Sequence, residues 1–201
     1  MSEATVQSET RRKAEVALIK KAWTDEAFAD RVRNDPRAAF EEVLGEVNGG
    51  TKLPRGLQVK LLDETNGTIY LVVPAAGTSV GGPSEPLTAE SRRSDFDAAL
   101  TAKASQDADF RAQLLRDAKT AYQAQLTSIK PEAELPEAIS VEAVEESSSV
   151  MYLRLPVAPP DLAQRELSDE ELREVAGGVV AAAVACVSYV YVGVAVAVAA
   201  A

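Results

Sequence analysis

The 201-residue chain contains no histidine and only one cysteine, Cys186. Without histidine, a His-dependent catalytic triad and a His-ligated metal site are excluded. A lone cysteine makes neither an internal disulfide nor a multi-cysteine zinc site. Basic residues are outnumbered, with 21 Lys and Arg against 31 Asp and Glu and a net charge of −10. That balance argues against nucleic acid as a partner, because phosphate binding draws on clustered cations. No apolar signal-peptide core opens the chain, since Arg11, Arg12, Lys13, Lys20 and Lys21 interrupt its beginning. Synthesis and folding in the cytoplasm are therefore expected. The most telling absence is at the other end: residues 179–201 carry no charge at all. Such a segment cannot form the outer surface of a globule. Either it enters a membrane or it is a separate product that the rest of the chain escorts.

The charged part repeats itself without a gap at an offset of 82 positions. Lys21-Ala22 matches Lys103-Ala104, Asp25 matches Asp107, Phe28 matches Phe110, and Asp35 matches Asp117. Leu44 matches Leu126, Leu53-Pro54 matches Leu135-Pro136, Val59 matches Val141, Tyr70-Leu71 matches Tyr152-Leu153, and Pro74 matches Pro156. Phe40 faces Tyr122, a conservative exchange. An ungapped register across a whole module signals tandem duplication, and two copies are too few for a solenoid. Two similar modules are expected, at residues 10–76 and 92–158. A Gly-, Ser- and Pro-rich linker at 77–91 separates them. A second linker follows and includes Pro159-Pro160.

Each module begins with helical periodicity. Phe28, Val32, Phe40, Val43, Leu44 and Val47 recur at helical spacing in the first; Phe96, Leu100, Phe110, Leu114, Tyr122 and Leu126 do so in the second. Pro36 suits a helix start, and Asn48-Gly49-Gly50 a helix end. The period then changes to two. Leu57, Val59 and Leu61 read as a strand, Asn66-Gly67 as a hairpin turn, and residues 69–73 as the returning strand. The second copy places strands around Ile139 to Ala143 and Val150 to Leu155. The expected architecture is α+β, with helices followed by a β-hairpin in each module. Trp23, Phe28, Tyr70, Phe110, Tyr122 and Tyr152 are expected in the cores. The paired acids Glu41-Glu42, Asp63-Glu64 and Glu145-Glu146 are expected on solvated faces.

Residues 167–178 follow helix-end rules closely. Ser168 as N-cap and Glu171 at N3 form a capping box, and Leu167 and Leu172 occupy the positions of a hydrophobic staple. Asp169, Glu170 and Glu171 set negative charge at the positive end of the helix dipole. Leu172, Val175 and Ala176 share a face. Such a two-turn helix is too short to be stable alone in water, so it should form fully on a partner. An ordinary surface helix docked on its own module is the alternative. Gly177-Gly178 then lets an extended chain enter a narrow cleft, as neither residue has a side chain to collide with its walls. A short acidic helix, a double glycine and a chemically distinct tail form the arrangement of a leader, a cleavage site and a product.

Within the tail, Val190, Val192, Val194, Val196 and Val198 alternate with Tyr191, Gly193, Ala195 and Ala197. That is period two, in a residue that favours strands. As plain polypeptide the segment is an aggregation hazard. Its length would also suit a tail anchor, since 20 or so apolar residues span a bilayer as a helix at about 1.5 Å each. No Lys, Arg or Trp flanks it as an anchor's would.

The repeated module, residues 22–74 with its copy at 104–156, resembles the α-subunit of nitrile hydratase. Together with the run from Glu166 to Gly178, the whole resembles nitrile-hydratase-like leader peptide precursors, the proteusin group of ribosomally synthesised, post-translationally modified peptides. Nitrile hydratase uses a cysteine-rich metal motif, which this chain lacks, so the resemblance implies a scaffold without catalysis and without a cofactor. It implies maturation enzymes that bind the leader. It also implies a cysteine peptidase, often fused to an exporter, that cuts after Gly178 to release a core at residues 179–201. The Val/Ala-rich core looks like substrates of radical S-adenosylmethionine epimerases. Epimerisation needs only a Cα–H, and alternating L and D residues can wind into a helix that satisfies its own backbone, as a membrane-active peptide requires. Two other modifications stay open: a thioether between Cys186 and dehydrated Ser188, and backbone splicing at Tyr191-Val192-Gly193.

Overall fold

The computed structural model describes residues 3–158 apart from 51, 79, 84, 89, 90 and 92. Six helices and four strands follow in order: α1 (Glu3–Thr24), α2 (Glu26–Asn34), α3 (Pro36–Val47), β1 (Gln58–Asp63), β2 (Thr68–Val73), α4 (Arg93–Gln106), α5 (Ala108–Arg116), α6 (Ala118–Ile129), β3 (Ser140–Glu145) and β4 (Val150–Leu155). The mixed α and β composition matches the expected class. Elements α2, α3, β1 and β2 recur as α5, α6, β3 and β4 at the same 82-residue offset found in the sequence.

Aspartates punctuate the helices. The Asp25 carboxylate accepts the Phe28 N–H at 3.0 Å, and Asp107 accepts that of Phe110 at 2.9 Å. Asp35 both closes α2, donating its N–H to the Arg31 carbonyl at 2.8 Å, and opens α3, accepting the Ala38 N–H at 2.9 Å. Pro36 follows at the first helical position, where its missing N–H is harmless. Asp117 repeats that role before α6, and hydrogen bonds from the Thr120 side chain and backbone hold its carboxyl below the usual range. Removing a capping side chain should cost about 1 kcal/mol. Asp35→Ala is therefore expected to lower the urea midpoint modestly with no change in far-UV circular dichroism. Helix α3 ends at Val47 as Asn48-Gly49-Gly50 predicted. Gly49 and Gly50 adopt φ of 60° and 91°, a region that residues with a Cβ rarely enter.

The strands depart from expectation. Asn66-Gly67 does turn the chain, with the Thr68 N–H bonded to the Thr65 carbonyl at 3.2 Å. Yet β1 and β2 do not pair with each other. Strand β1 pairs in parallel with β4, from Gln58↔Val150 to Asp63↔Leu155, and β2 pairs in parallel with β3, from Thr68↔Ser140 to Val73↔Glu145. The expected hairpins are replaced by two parallel two-stranded sheets. The turn motif fixes a reversal of direction; it does not fix which edge the returning strand takes.

Two compact units result. The first comprises residues up to Asp63 together with those from Ser148, and holds α1–α3, β1 and β4. Its buried residues include Leu18, Phe28, Val32, Phe40 and Val43 of the helices and Met151, Leu153 and Leu155 of β4. The second comprises Glu64–Ser147 and holds β2, α4–α6 and β3. Its core joins Leu71, Val73, Phe96, Leu100, Leu114, Tyr122 and Leu126, with Phe96 and Tyr122 stacked at 6.2 Å. Alternate residues of β2 and β4 are buried, so each strand lays one face on its helices. Each unit takes its helices from one repeat and its strands from both. Of the aromatics expected in the cores, Phe28 and Tyr122 are fully buried; Trp23, Tyr70, Phe110 and Tyr152 are half-buried.

Candidate functional site

The residues singled out for recognition and processing lie outside the described residues. They are Leu167, Ser168, Glu171, Leu172 and Val175 of the short helix; Gly177 and Gly178 of the cut; and Cys186, Ser188, Val190, Val192, Val194, Val196 and Val198 of the core. What is described is the body that carries them. Two of its features bear on function.

The first is a buried ionic clasp. Arg93, at the start of α4, donates from Nη1 to Glu64 Oε2 at 2.9 Å and from Nη2 to Glu64 Oε1 at 2.5 Å. Asp97, one turn along α4, lies 3.6 Å from Arg93 Nε. The Arg93 and Glu64 side chains are only 4% and 5% exposed. Burial alone would lower the arginine pKa, but the carboxylates of Asp97 and Glu64 raise it above its ordinary value, so the guanidinium stays charged. The clasp also grips a strand. Tyr70 in β2 donates its N–H to Glu64 Oε1 at 3.2 Å, and its carbonyl accepts from Arg93 Nη2 at 3.3 Å. Those are the backbone groups through which a hairpin partner would have paired, so the clasp stops that edge of β2. Glu64 was expected on a solvated face; it is buried instead, because a bidentate guanidinium compensates its charge.

The first unit carries a looser version. Arg11 Nη2 donates to the Tyr152 carbonyl in β4 at 3.2 Å, and Arg11 Nε bonds Glu15 at 2.7 Å, with side chains 36% and 21% exposed. Arg11, Glu15 and Tyr152 stand at the repeat offset from Arg93, Asp97 and Tyr70. The other paired acids behave more nearly as expected. Glu42 bonds Lys21 at 2.7 Å and Arg31 at 2.9 Å at the surface, and Glu145 bonds Arg111 at 2.7 Å. The hydrogen bond that Lys21 donates to Glu42 raises the lysine pKa and lowers that of Glu42. Solvent screens such pairs, so they contribute little to stability.

The second feature is a groove of about 630 Å³ on the Glu64–Ser147 unit. One wall is α6, with Lys119, Thr120, Gln123, Ala124 and Thr127; the other is the following loop, with Pro131, Ala133, Glu134 and Leu135. Gln123 sets the loop's distance: its side-chain nitrogen donates to the Ala133 carbonyl and its oxygen accepts the Leu135 N–H, both at 2.7 Å. Lys119 reaches the Pro136 and Glu137 carbonyls at 3.3 and 3.0 Å. In the first repeat, Arg37 stands in the Lys119 position and bonds the carbonyls of Leu53, Pro54 and Leu57. The groove offers mixed polar and apolar contacts and no nucleophile–base pair. Among the described residues, no group of three or more His, Cys, Asp or Glu could hold a metal ion. No described helix is long and apolar enough to cross a membrane.

No protein-family model matches the chain. Among curated proteins it is similar to Polytheonamide B of Bacterium symbiont subsp. Theonella swinhoei (strain pTSMAC1), with 30% identity over 86 residues. That match spans 43% of this chain and 59% of the relative, and its length is close to one repeat. Among solved structures it is similar to a thiocyanate hydrolase mutant, with a TM-score of 0.51 and 13% identity over 87% of this chain and 76% of that one. A double mutant of the Fe-type nitrile hydratase from Comamonas testosteroni Ni1 gives a TM-score of 0.48 and 18% identity over 86% and 75%. At such identities a structural likeness speaks to fold alone. The chain thus shares its mixed α and β fold with that thiocyanate hydrolase, and its sequence similarity to Polytheonamide B covers less than two thirds of that relative.

Proposed function

We propose that the chain is the precursor of a ribosomally synthesised, modified peptide and not an enzyme. Residues up to 158 act as the folded leader. Residues 167–176 form the recognition helix, and residues 179–201 are the core, released by a cut after Gly178. The observation that carries this reading is the relationship to Polytheonamide B, joined to an uncharged tail directly behind Gly177-Gly178. The modification proposed is inversion of α-carbons by a radical S-adenosylmethionine epimerase, which suits the alternating Val of the core because the reaction needs only a Cα–H. The precursor is cytoplasmic. A cysteine peptidase and exporter then deliver a membrane-active core. Folding the leader keeps the apolar core in solution until delivery.

The test is coexpression with the epimerase and peptidase in heavy water, read by intact mass of the tail. Each inverted residue should gain one deuterium, and the tail should be cut after Gly178. Leu172→Asp places a charge on the apolar face of the recognition helix, and cleavage should be lost while the leader stays folded. An unlabelled, uncut tail on a chain that sediments with membranes would instead identify an anchor. Unchanged cleavage of the Leu172→Asp chain would remove the helix from the recognition step.

A further inference from the structure

Neither compact unit can be completed from one repeat. Strand β1 of the first repeat has its partner, β4, in the second, and β2 of the first repeat has its partner, β3, in the second. The exchange is reciprocal in detail. The Gln58 N–H bonds the Ser149 carbonyl at 2.8 Å, and the Ser140 N–H bonds the Gly67 carbonyl at 2.7 Å, the same contact at the repeat offset. A Cβ at Gly67 would come into van der Waals contact, 3.4 Å, with the Ala138 carbonyl oxygen. The edge of each strand, left alone, would expose unpaired N–H and C=O groups and one apolar face. Between β2 and α4 the described residues form no helix or strand, though Leu87 packs against the second unit's core.

We propose that the two repeats are obligate partners, each a strand donor to the other. The interaction surface of a repeat is its own pair of strand edges, β1 and β2 or β3 and β4. The partner it fits is a second copy of the same repeat, and the peptide at 77–91 is a tether whose Leu87 rests on the core of the second unit. This does not depend on the precursor reading. It implies that a chain with one such repeat has to pair with another chain to fold.

The full chain tests this with Cys186→Ser, Lys60→Cys and Tyr152→Cys, plus a protease site inserted between Gly81 and Gly82. Residues 60 and 152 are register partners, and the Lys60 Nζ lies 5.9 Å from the Tyr152 ring centroid, so both side chains are on one accessible face. Paired strands lie about 4.8 Å apart, within disulfide range. After cleavage the two fragments should elute together with no shift from the uncut protein. Mild oxidation should remove both fragment bands on a non-reducing gel in favour of one covalent species, and reductant should restore them. A self-contained hairpin would set residue 60 opposite Val73 and keep the two cysteines apart. Fragments that separate on the column overturn the proposal, as do fragments that co-elute but fail to cross-link.

Discussion

Glu64→Ala is expected to destabilise the Glu64–Ser147 unit by about 3–5 kcal/mol, the usual result of leaving one partner of a buried ion pair without its counter-charge. Arg93 is almost wholly buried and keeps its charge, so after truncation its guanidinium is left with Asp97 at 3.6 Å and the Tyr70 carbonyl. The Tyr70 N–H loses its acceptor in the same step. Urea unfolding followed by circular dichroism would read the change, and native-state hydrogen exchange would localise it to β2 and the start of α4. Two companion variants sharpen the result. Replacing both partners, Glu64→Leu with Arg93→Met, removes the desolvation cost along with the attraction and should be near neutral. Glu15→Ala, at the first-unit position matching Asp97, should cost no more than about 1 kcal/mol, because water already screens its pair with Arg11. A Glu64→Ala chain as stable as the parent would show that the clasp contributes nothing to holding β2.

The second large effect is expected at Leu71→Ala. Leu71 is fully buried in β2 and packs in the cluster with Leu100 and Leu114. Cutting a leucine to alanine in such a site loses the transfer energy and leaves a cavity, for about 2–5 kcal/mol. The site has little room to collapse, since β3 fixes the strand on one edge and the clasp grips it on the other. The upper half of that range is therefore expected, measured as a fall in the denaturant midpoint without a change in slope. Leu153 occupies the equivalent place in β4 and is 1% exposed, so Leu153→Ala should destabilise the other unit comparably. A Leu71→Ala chain that loses less than about 1 kcal/mol would mean that β2 is not laid on the helices as described.

Much of this fold could be read from the chain. Asp25, Asp35, Asp107 and Asp117 cap helices, Pro36 begins one and Asn48-Gly49-Gly50 ends one. These features act through neighbours in sequence, where residue chemistry alone decides the outcome. The strand segments were equally legible, because alternation of Ile69, Leu71 and Val73 describes one buried face. Their pairing was not. An Asn-Gly turn between two alternating runs suggests a local hairpin, and alternation constrains faces but not edges. The outer edge of β2 is occupied by Glu64 and Arg93, 29 residues apart, meeting in a buried pair. A hint was present: Arg11, Glu15 and Tyr152 match Arg93, Asp97 and Tyr70 across the repeat. Only a structure shows that each arginine reaches a strand of the other copy. The groove beside α6 was likewise invisible, because Gln123 sets it through bonds to a loop that periodicity does not describe.

The reciprocal strand exchange has a consequence for stoichiometry. A symmetric pair made from two separate chains would carry two tails, and every surface substitution would appear on both members. Joining the copies end to end leaves one tail for two scaffold faces and releases each face from the symmetry of the other. Divergence is already visible: one arginine is sealed beside Glu64 while its counterpart is about a third exposed, and Lys119 of the groove stands where the first repeat has Arg37. Two faces that no longer need to be identical can each be tuned to a different visitor.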